Sequence, residues 1–218
     1  MSDFPSPSPA PDMRLWDTEG RRLYLSADER ARFLEAAAHE GREDRVYCHL
    51  LHFTGCRASE ALELTPRRIQ IAEADIVFRT LKKRARDRAG RPKKPQYRAV
   101  PVPPRLIEDL DLVFDLRRLR HTGVALDARL WRQHRATIWR MVKRVMARAG
   151  IEGPQASPKG LRHGFGIAML AGPKPLPLNI LRDLMGHADT QTTEIYLQAI
   201  GTEKRALVMQ AWDTTTPT

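Results

Sequence analysis

The chain has 218 residues, room for one domain of ordinary size with a sizeable core. Its 37 Lys and Arg against 26 Asp and Glu leave a net charge of +11, which favours a polyanionic partner, nucleic acid before any other, over a neutral or acidic one. No apolar run approaches the roughly 18 to 20 residues of a membrane span, and the N-terminus lacks the basic and apolar regions of a secretory signal, so a cytoplasmic protein with no membrane partner is expected.

In chain order, residues 1 to 13 are dominated by Ser and Pro and cannot bury enough apolar surface to offset chain entropy. A poorly ordered tail is expected over 1–20, the folded domain over 21–213 and a short C-terminal tail over 214–218. Ser26 and Glu29 have the spacing of a capping box and open a helix to about His39; a second helix runs from about Glu43 to Thr54. A short third follows Gly55 and stops at Thr65-Pro66. The stretches "RIQIA", "DIVFRTLKK" and "YRAVPVP" then alternate like strands with turn signals between them, which predicts a small antiparallel sheet from about 67 to 102. Helical periodicity returns after Pro103-Pro104 with Leu106, Ile107, Leu110, Val113 and Phe114 on one side. Ile138, Met141, Val142, Val145 and Met146 form the apolar stripe of a basic amphipathic helix over about 133–149. Ser157-Pro158 starts another to about Leu170, and short helices follow at 177–186, 190–199 and 202–212. The fold class is mainly α with a small antiparallel β-sheet, an α+β arrangement.

Two cysteines, Cys48 and Cys56, read as buried thiols and not as a disulfide in a reducing compartment. With His52 they recur every four residues and would share one face of a continuous helix, but a fourth ligand and supporting groups are missing from the sequence, so no metal is expected. Positive charge is concentrated: residues 79–98 hold ten Lys or Arg against Asp87 alone, and 117–148 hold ten against Asp127 alone. Either run could be a solvated face; together in a basic domain they suggest a groove that tracks phosphates, with Lys83, Arg84, Lys93, Lys94, Arg140, Lys143 and Arg144 as candidate DNA contacts.

Three local signatures remain: "TGCRASEALEL" at 54–64, "SPKGLRHGFG" at 157–166 and "LMGHADTQTTEIY" at 184–196. In this order, with a basic sheet between the first two, they resemble the tyrosine recombinase (phage integrase) family. That family carries an Arg in T-G-x-R-x-x-E-x-x-x-L, a second Arg in H-x-L-R-H, a His in L-G-H and a nucleophilic Tyr nine residues on. The resemblance covers about residues 21 to 212. It implies a catalytic domain of the DNA breaking-rejoining kind, with Tyr196 as nucleophile, Arg57 and Arg162 as phosphate-binding cations and His187 as a hydrogen-bond partner of the phosphate. The chemistry is coherent. Attack of a phenol on a phosphodiester loads negative charge on the non-bridging oxygens, and a planar guanidinium suits those oxygens better than a Lys point charge. Glu60, one turn after Arg57, orients that guanidinium, and His163 takes a supporting role.

By the same resemblance, a Lys on the sheet's loop protonates the leaving 5′ oxygen, and "FRTLKKR" places Lys82 there, with Lys83 adjacent. One position departs from the pattern: Lys159 stands where H-x-L-R-H has its first His. An ordinary Lys is protonated at neutral pH and a poor base, so Lys159 reads as an additional phosphate-directed cation and not as inactivation. No nucleotide motif or magnesium-holding acidic cluster occurs, and no cofactor is expected.

The resemblance implies double-stranded DNA as partner, a homotetramer on DNA that is monomeric in solution, and a bacterial chromosome or mobile element as setting. The family's usual additional N-terminal helical domain has no counterpart here, which suggests a minimal enzyme or one that takes clamp function from an accessory protein. "TEKRALVMQAW" either packs on its own domain or exchanges with a neighbouring subunit. Two other functions stay open: type IB topoisomerase-like relaxation, and a non-catalytic DNA-binding accessory protein of the same fold.

Overall fold

The computed structural model of the protein describes residues 14–81, 91, 94–187 and 192–197. The expected tails at 1–13 and 214–218 and the helix at 202–212 lie outside them. Leu15 is buried, Leu23 N donates to Leu15 O at 2.8 Å, and Trp16 bridges to Arg22, so the tail boundary expected at residue 20 falls inside an ordered turn. A buried leucine and a paired backbone anchor that turn.

Helix α1 (Ala27–Ala37) starts at the expected capping box, with Glu29 N donating to Ser26 Oγ at 3.2 Å and Ser26 N to Glu29 Oε2 at 2.8 Å. Glu29 also accepts from the Arg22 guanidinium and from Gln155 Nε2 at 3.0 Å, so one carboxylate ties three separate segments. Helix α2 (Arg42–Thr54) ends at Gly55, which adopts a left-handed φ of 57°; a Cβ there would lie 2.3 Å from the Phe165 ring. That stop removes Cys56 from the face of Cys48 and His52, so the three-residue row does not form. Cys48 instead packs with its Sγ 3.5 Å from Met141 Sδ.

After the single turn of α3 (Ala58–Ala61), strands β1 (Ile69–Gln70), β2 (Asp75–Thr80) and β3 (Gln96–Pro101) form an antiparallel sheet in sequence order. Ile76 pairs with Val100 and Phe78 with Arg98; opposite residues share a face, so Arg98 is carried to the core side beside Phe78. Helix α4 (Pro104–Phe114) buries Leu106, Ile107 and Leu110. Asp115, left-handed at φ 55°, separates it from α5 (Leu116–Thr122), an element that the periodicity did not resolve. Helix α6 (Arg135–Arg148) buries the five apolar residues expected of it. Helix α7 (Pro158–Ala171) is capped by Ser157, and α8 (Leu178–Met185) ends at Gly186, again left-handed. Residues 192–197 are helical.

The apolar interior falls into two clusters. The larger joins α1, α2, the sheet, α4 and α6; the smaller gathers Leu15, Tyr24, Phe165, Leu181, Met185, Ile195 and Tyr196. Helix α7 supplies Leu161 to the first and Phe165 to the second, so Arg162 and His163 sit on the seam. Among the described residues, no helix is long and apolar enough to cross a membrane.

Candidate active site

The end of α2 positions the first cation. Because the helix stops at Gly55, Arg57 emerges as the N-cap of α3, where its backbone N–H donates to Glu60 Oε2 at 3.1 Å and its guanidinium to Glu60 Oε1 at 2.9 Å. About a third of the Arg57 side chain remains exposed, while Glu60 is fully buried. Burial pushes the Glu60 carboxyl up, but Arg98, Arg57 and Arg162 outweigh it and hold the group below the usual carboxylate range.

Arg162 is fixed by carbonyls from two other elements, donating to Gly55 O at 2.6 Å and Met185 O at 2.7 Å. These contacts consume two of five N–H groups and leave others for a ligand. Burial, and then the neighbouring Arg57, push its guanidinium down to about 10, so it stays charged at neutral pH.

His187 follows the left-handed Gly186. Its Nδ1 lies 2.9 Å from Thr193 Oγ1, and its buried Nε2 has no partner among the described residues. If Nδ1 accepts from the threonine, Nε2 carries the proton and is an unused donor. Tyr196 is fully buried, its ring stacked near His187 at 6.3 Å between centroids and resting on Gly166, where a Cβ would lie 2.7 Å from the ring. Its hydroxyl is 3.1 Å from His163 Nδ1. Burial pushes the phenol up to about 12, against the opposing pull of Arg162 and Arg57.

A cleft of about 470 Å³ opens beside this cluster, lined among others by Arg57, Arg135, Trp139, Lys159, Arg162 and His163. Four cations lining one cleft favour an anion, and three of them are guanidiniums that can present paired donors. Arg57, Glu60, Lys159, Arg162, His163, His187 and Tyr196 are therefore brought together from positions spread over 140 residues of sequence.

A match to the Phage integrase family model spans residues 24–202. The chain belongs to the phage integrase family. One relative of this integrase-family chain is the tyrosine recombinase XerD of Mycobacterium leprae, 32% identical over 198 residues, covering 82% of this chain and 58% of XerD. A XerA recombinase crystal structure superposes with a TM-score of 0.66 at 26% identity, over 87% of this chain and 65% of that one. The catalytic domain of bacteriophage HP1 integrase shares the fold, with a TM-score of 0.56 at 19% identity over 86% of this chain and 94% of that domain. The chain thus spans under two thirds of the length of the XerD and XerA proteins it matches.

The other expected residues of this integrase-family chain fall differently. Lys82, Lys83, Arg84 and Lys93 lie outside the described residues. Lys94 and Arg140 are exposed. Lys143 and Arg144, expected to contact DNA, are engaged within the fold: Lys143 Nζ donates to Ala156 O at 2.9 Å, and Arg144 pairs with Glu40 at 2.6 Å and Asp44 at 3.3 Å. Their partners lie on other elements, which local charge spacing does not reveal.

Three residues escaped the sequence reading. Arg135 and Trp139, one turn apart on α6, line the cleft; the spacing was visible, but the whole basic face competed with it. Arg98 had no local signal. It donates to Glu60 Oε2 at 2.6 Å and Leu184 O at 2.8 Å, so it joins the carboxylate that orients Arg57 to the end of the helix that leads into His187.

Proposed function

We propose that this chain cuts double-stranded DNA at a defined sequence and rejoins it through a covalent 3′-phosphotyrosine at Tyr196, as a tyrosine site-specific recombinase. The observation that carries the reading is the convergence of Arg57, Arg162, His187 and Tyr196 on one seam beside a cationic cleft, in a chain of the phage integrase family. Attack of the phenolic oxygen on phosphorus gives a five-coordinate transition state whose equatorial oxygens gain charge. Arg57 and Arg162 face that charge, and the unused Nε2 of His187 donates to it. Lys82 is assigned on sequence as the acid that protonates the leaving 5′ oxygen. The phosphotyrosine retains the energy of the cut bond, so a 5′ hydroxyl can reseal it without ATP or metal. Strand exchange between two duplexes engages four copies of the chain on DNA.

The test is covalent capture. Sheared DNA from the source organism is incubated with the protein in EDTA and denatured with SDS, and the attached ends are sequenced beside a Tyr196→Phe control. Adducts at one sequence that vanish in the control are expected. Adducts scattered over the genome indicate relaxation without site choice, and DNA binding without any adduct refutes the enzymatic reading.

A further inference from the structure

We infer that His163 is the group that takes the phenolic proton from Tyr196 when the tyrosine attacks and returns it on rejoining, in place of the residue at position 159. The inference rests on the strand-transfer reading above and adds to it the proton acceptor that the sequence reading left without a competent side chain.

The attacking hydroxyl has to lose a proton, and in this fold it cannot do so unaided. Tyr196 is fully buried, and burial raises its phenol to about 12, so the phenolate is a minute fraction of the molecules at neutral pH. Among the described residues the hydrogen bond made by its hydroxyl is the one to His163 Nδ1, at 3.1 Å, within the reach required of a general base. The rival position is unsuited. Lys159 lies one turn earlier on α7 and lines the cleft, but an ordinary lysine is protonated at neutral pH and has no lone pair to offer.

His163 has the complementary state. Burial first, then the charges of Lys159 and Arg162, push its imidazole down to about 3, so it is neutral and able to accept. When Nδ1 accepts from the phenol, Nε2 carries the hydrogen, and that buried nitrogen has no partner among the described residues. Tyr196 touches it and His187 lies beyond that ring; the charges that act on it are Lys159 and Arg162 on its own helix, Arg57 and Arg135 line the same cleft, and the Glu60 carboxylate is already paired with Arg57 and Arg98. The charges acting directly on the imidazole are both positive. An arriving phosphodiester supplies the opposite charge, which raises the imidazole toward the range where it holds a proton. Base strength is thereby coupled to occupancy of the cleft, and the phenol stays protonated while no DNA is bound.

The step balances. The Tyr196 O–H bond breaks and its proton passes to Nδ1; the oxygen's electron pair forms the bond to phosphorus; the bond from phosphorus to the 5′ oxygen breaks, and that oxygen takes a proton from the separate acid assigned to Lys82. Rejoining runs the same transfers backwards.

The experiment uses the full chain and a synthetic duplex of the sequence found by covalent capture, with cleavage followed in a single turnover. His163→Asn keeps an acceptor near the Nδ1 position but cannot take up a proton. The expected result is cleavage slowed by about 10²- to 10⁴-fold with DNA affinity unchanged, and a rate that now climbs about tenfold per pH unit as hydroxide replaces the base. A duplex with sulfur at the leaving 5′ position needs no acid. It should rescue Lys82→Ala and leave His163→Asn slow. A wild-type rate in His163→Asn, or its rescue by the sulfur duplex, overturns the assignment.

Because His163 is buried, a second measurement leaves it in place. Wild-type protein carrying 3-fluorotyrosine at position 196 has a more acidic phenol. With His163 as acceptor, the acid limb of the pH profile stays where it is; a profile that moves bodily to lower pH overturns the assignment. Absence of any Tyr196-dependent adduct in the wild type overturns this inference together with the proposed function, whereas full-rate adducts in His163→Asn overturn the inference alone.

Discussion

Arg98→Met tests whether the Glu60 carboxylate that holds Arg57 depends on a buried brace. Arg98 is 8% exposed and its partner Glu60 is not exposed at all. Methionine keeps an apolar stem beside Phe78 but removes the contacts to Glu60 and to Leu184 O. A charge-assisted hydrogen bond contributes about 1.5–3 kcal/mol and a neutral one about 1 kcal/mol. Stripping one partner from a buried ion pair costs about 3–5 kcal/mol, and Arg57 remains beside Glu60, which places this case at the lower end, about 3 kcal/mol. For a chain of this size that corresponds to a fall in Tm of roughly 6–12 °C. Urea titration gives the loss from the shift in midpoint at constant slope. A second signature lies in acid. The folded-state value of Glu60 is depressed, so its contribution is present above the unfolded carboxyl range and lost as pH falls through the folded value. Without Arg98 that loss begins at higher pH. A destabilisation below about 1 kcal/mol with an unmoved acid limb would refute the reasoning.

Two further expectations use different parts of the site. Burial, followed by the charge of Arg162 for His187 and of Lys159 for His163, pushes these imidazoles down to about 2 and about 3. The unfolded chain therefore takes up protons first: stability is intact above the free imidazole value near 6.5 and declines as pH falls toward those folded values, by about 2 kcal/mol in total between pH 6 and pH 5. Denaturant midpoints of the DNA-free protein at pH 7, 6 and 5 measure it, and equal midpoints would contradict it. Arg135 lines the cleft while Arg144 is bound to Glu40 and Asp44, so Arg135→Ala should reduce the salt slope of DNA binding by about one, and Arg144→Ala should leave it unchanged. Fluorescence anisotropy across a salt series decides; equal effects would return Arg144 to the DNA surface.

What could be read in the sequence was what local rules govern. Ser26 and Glu29 announce a helix start because both halves of the cap lie within three residues, and the Ile138 to Met146 stripe needs only helical periodicity. Arg57, Arg162, His187 and Tyr196 came from motif spacing, which carries the family resemblance but no distance. The proximity of His163 to Tyr196 was not legible, because it depends on how 192–197 docks against α7. Arg98 was invisible for the same reason: its burial follows from pairing opposite Phe78, a register that the flanking residues leave open. The ion pairs of Arg144 were not legible, because an arginine on a basic helix has the same local appearance whether its carboxylate is near in sequence or 104 residues away.

The clamp on Arg162 has a consequence for biosynthesis. Its guanidinium rests on the carbonyl of Gly55, 107 residues earlier, and on that of Met185, 23 residues later, while Tyr196 meets His163 across 33 residues. Contacts of such separation cost loop-closure entropy and slow folding. Arg57, Arg135, Lys159 and Arg162 all leave the ribosome before Tyr196 does. Under the proposed function, a polypeptide cut short between residues 185 and 196 would keep these cations and the Met185 carbonyl that holds Arg162 but lack the nucleophile, and would occupy a site without scarring it.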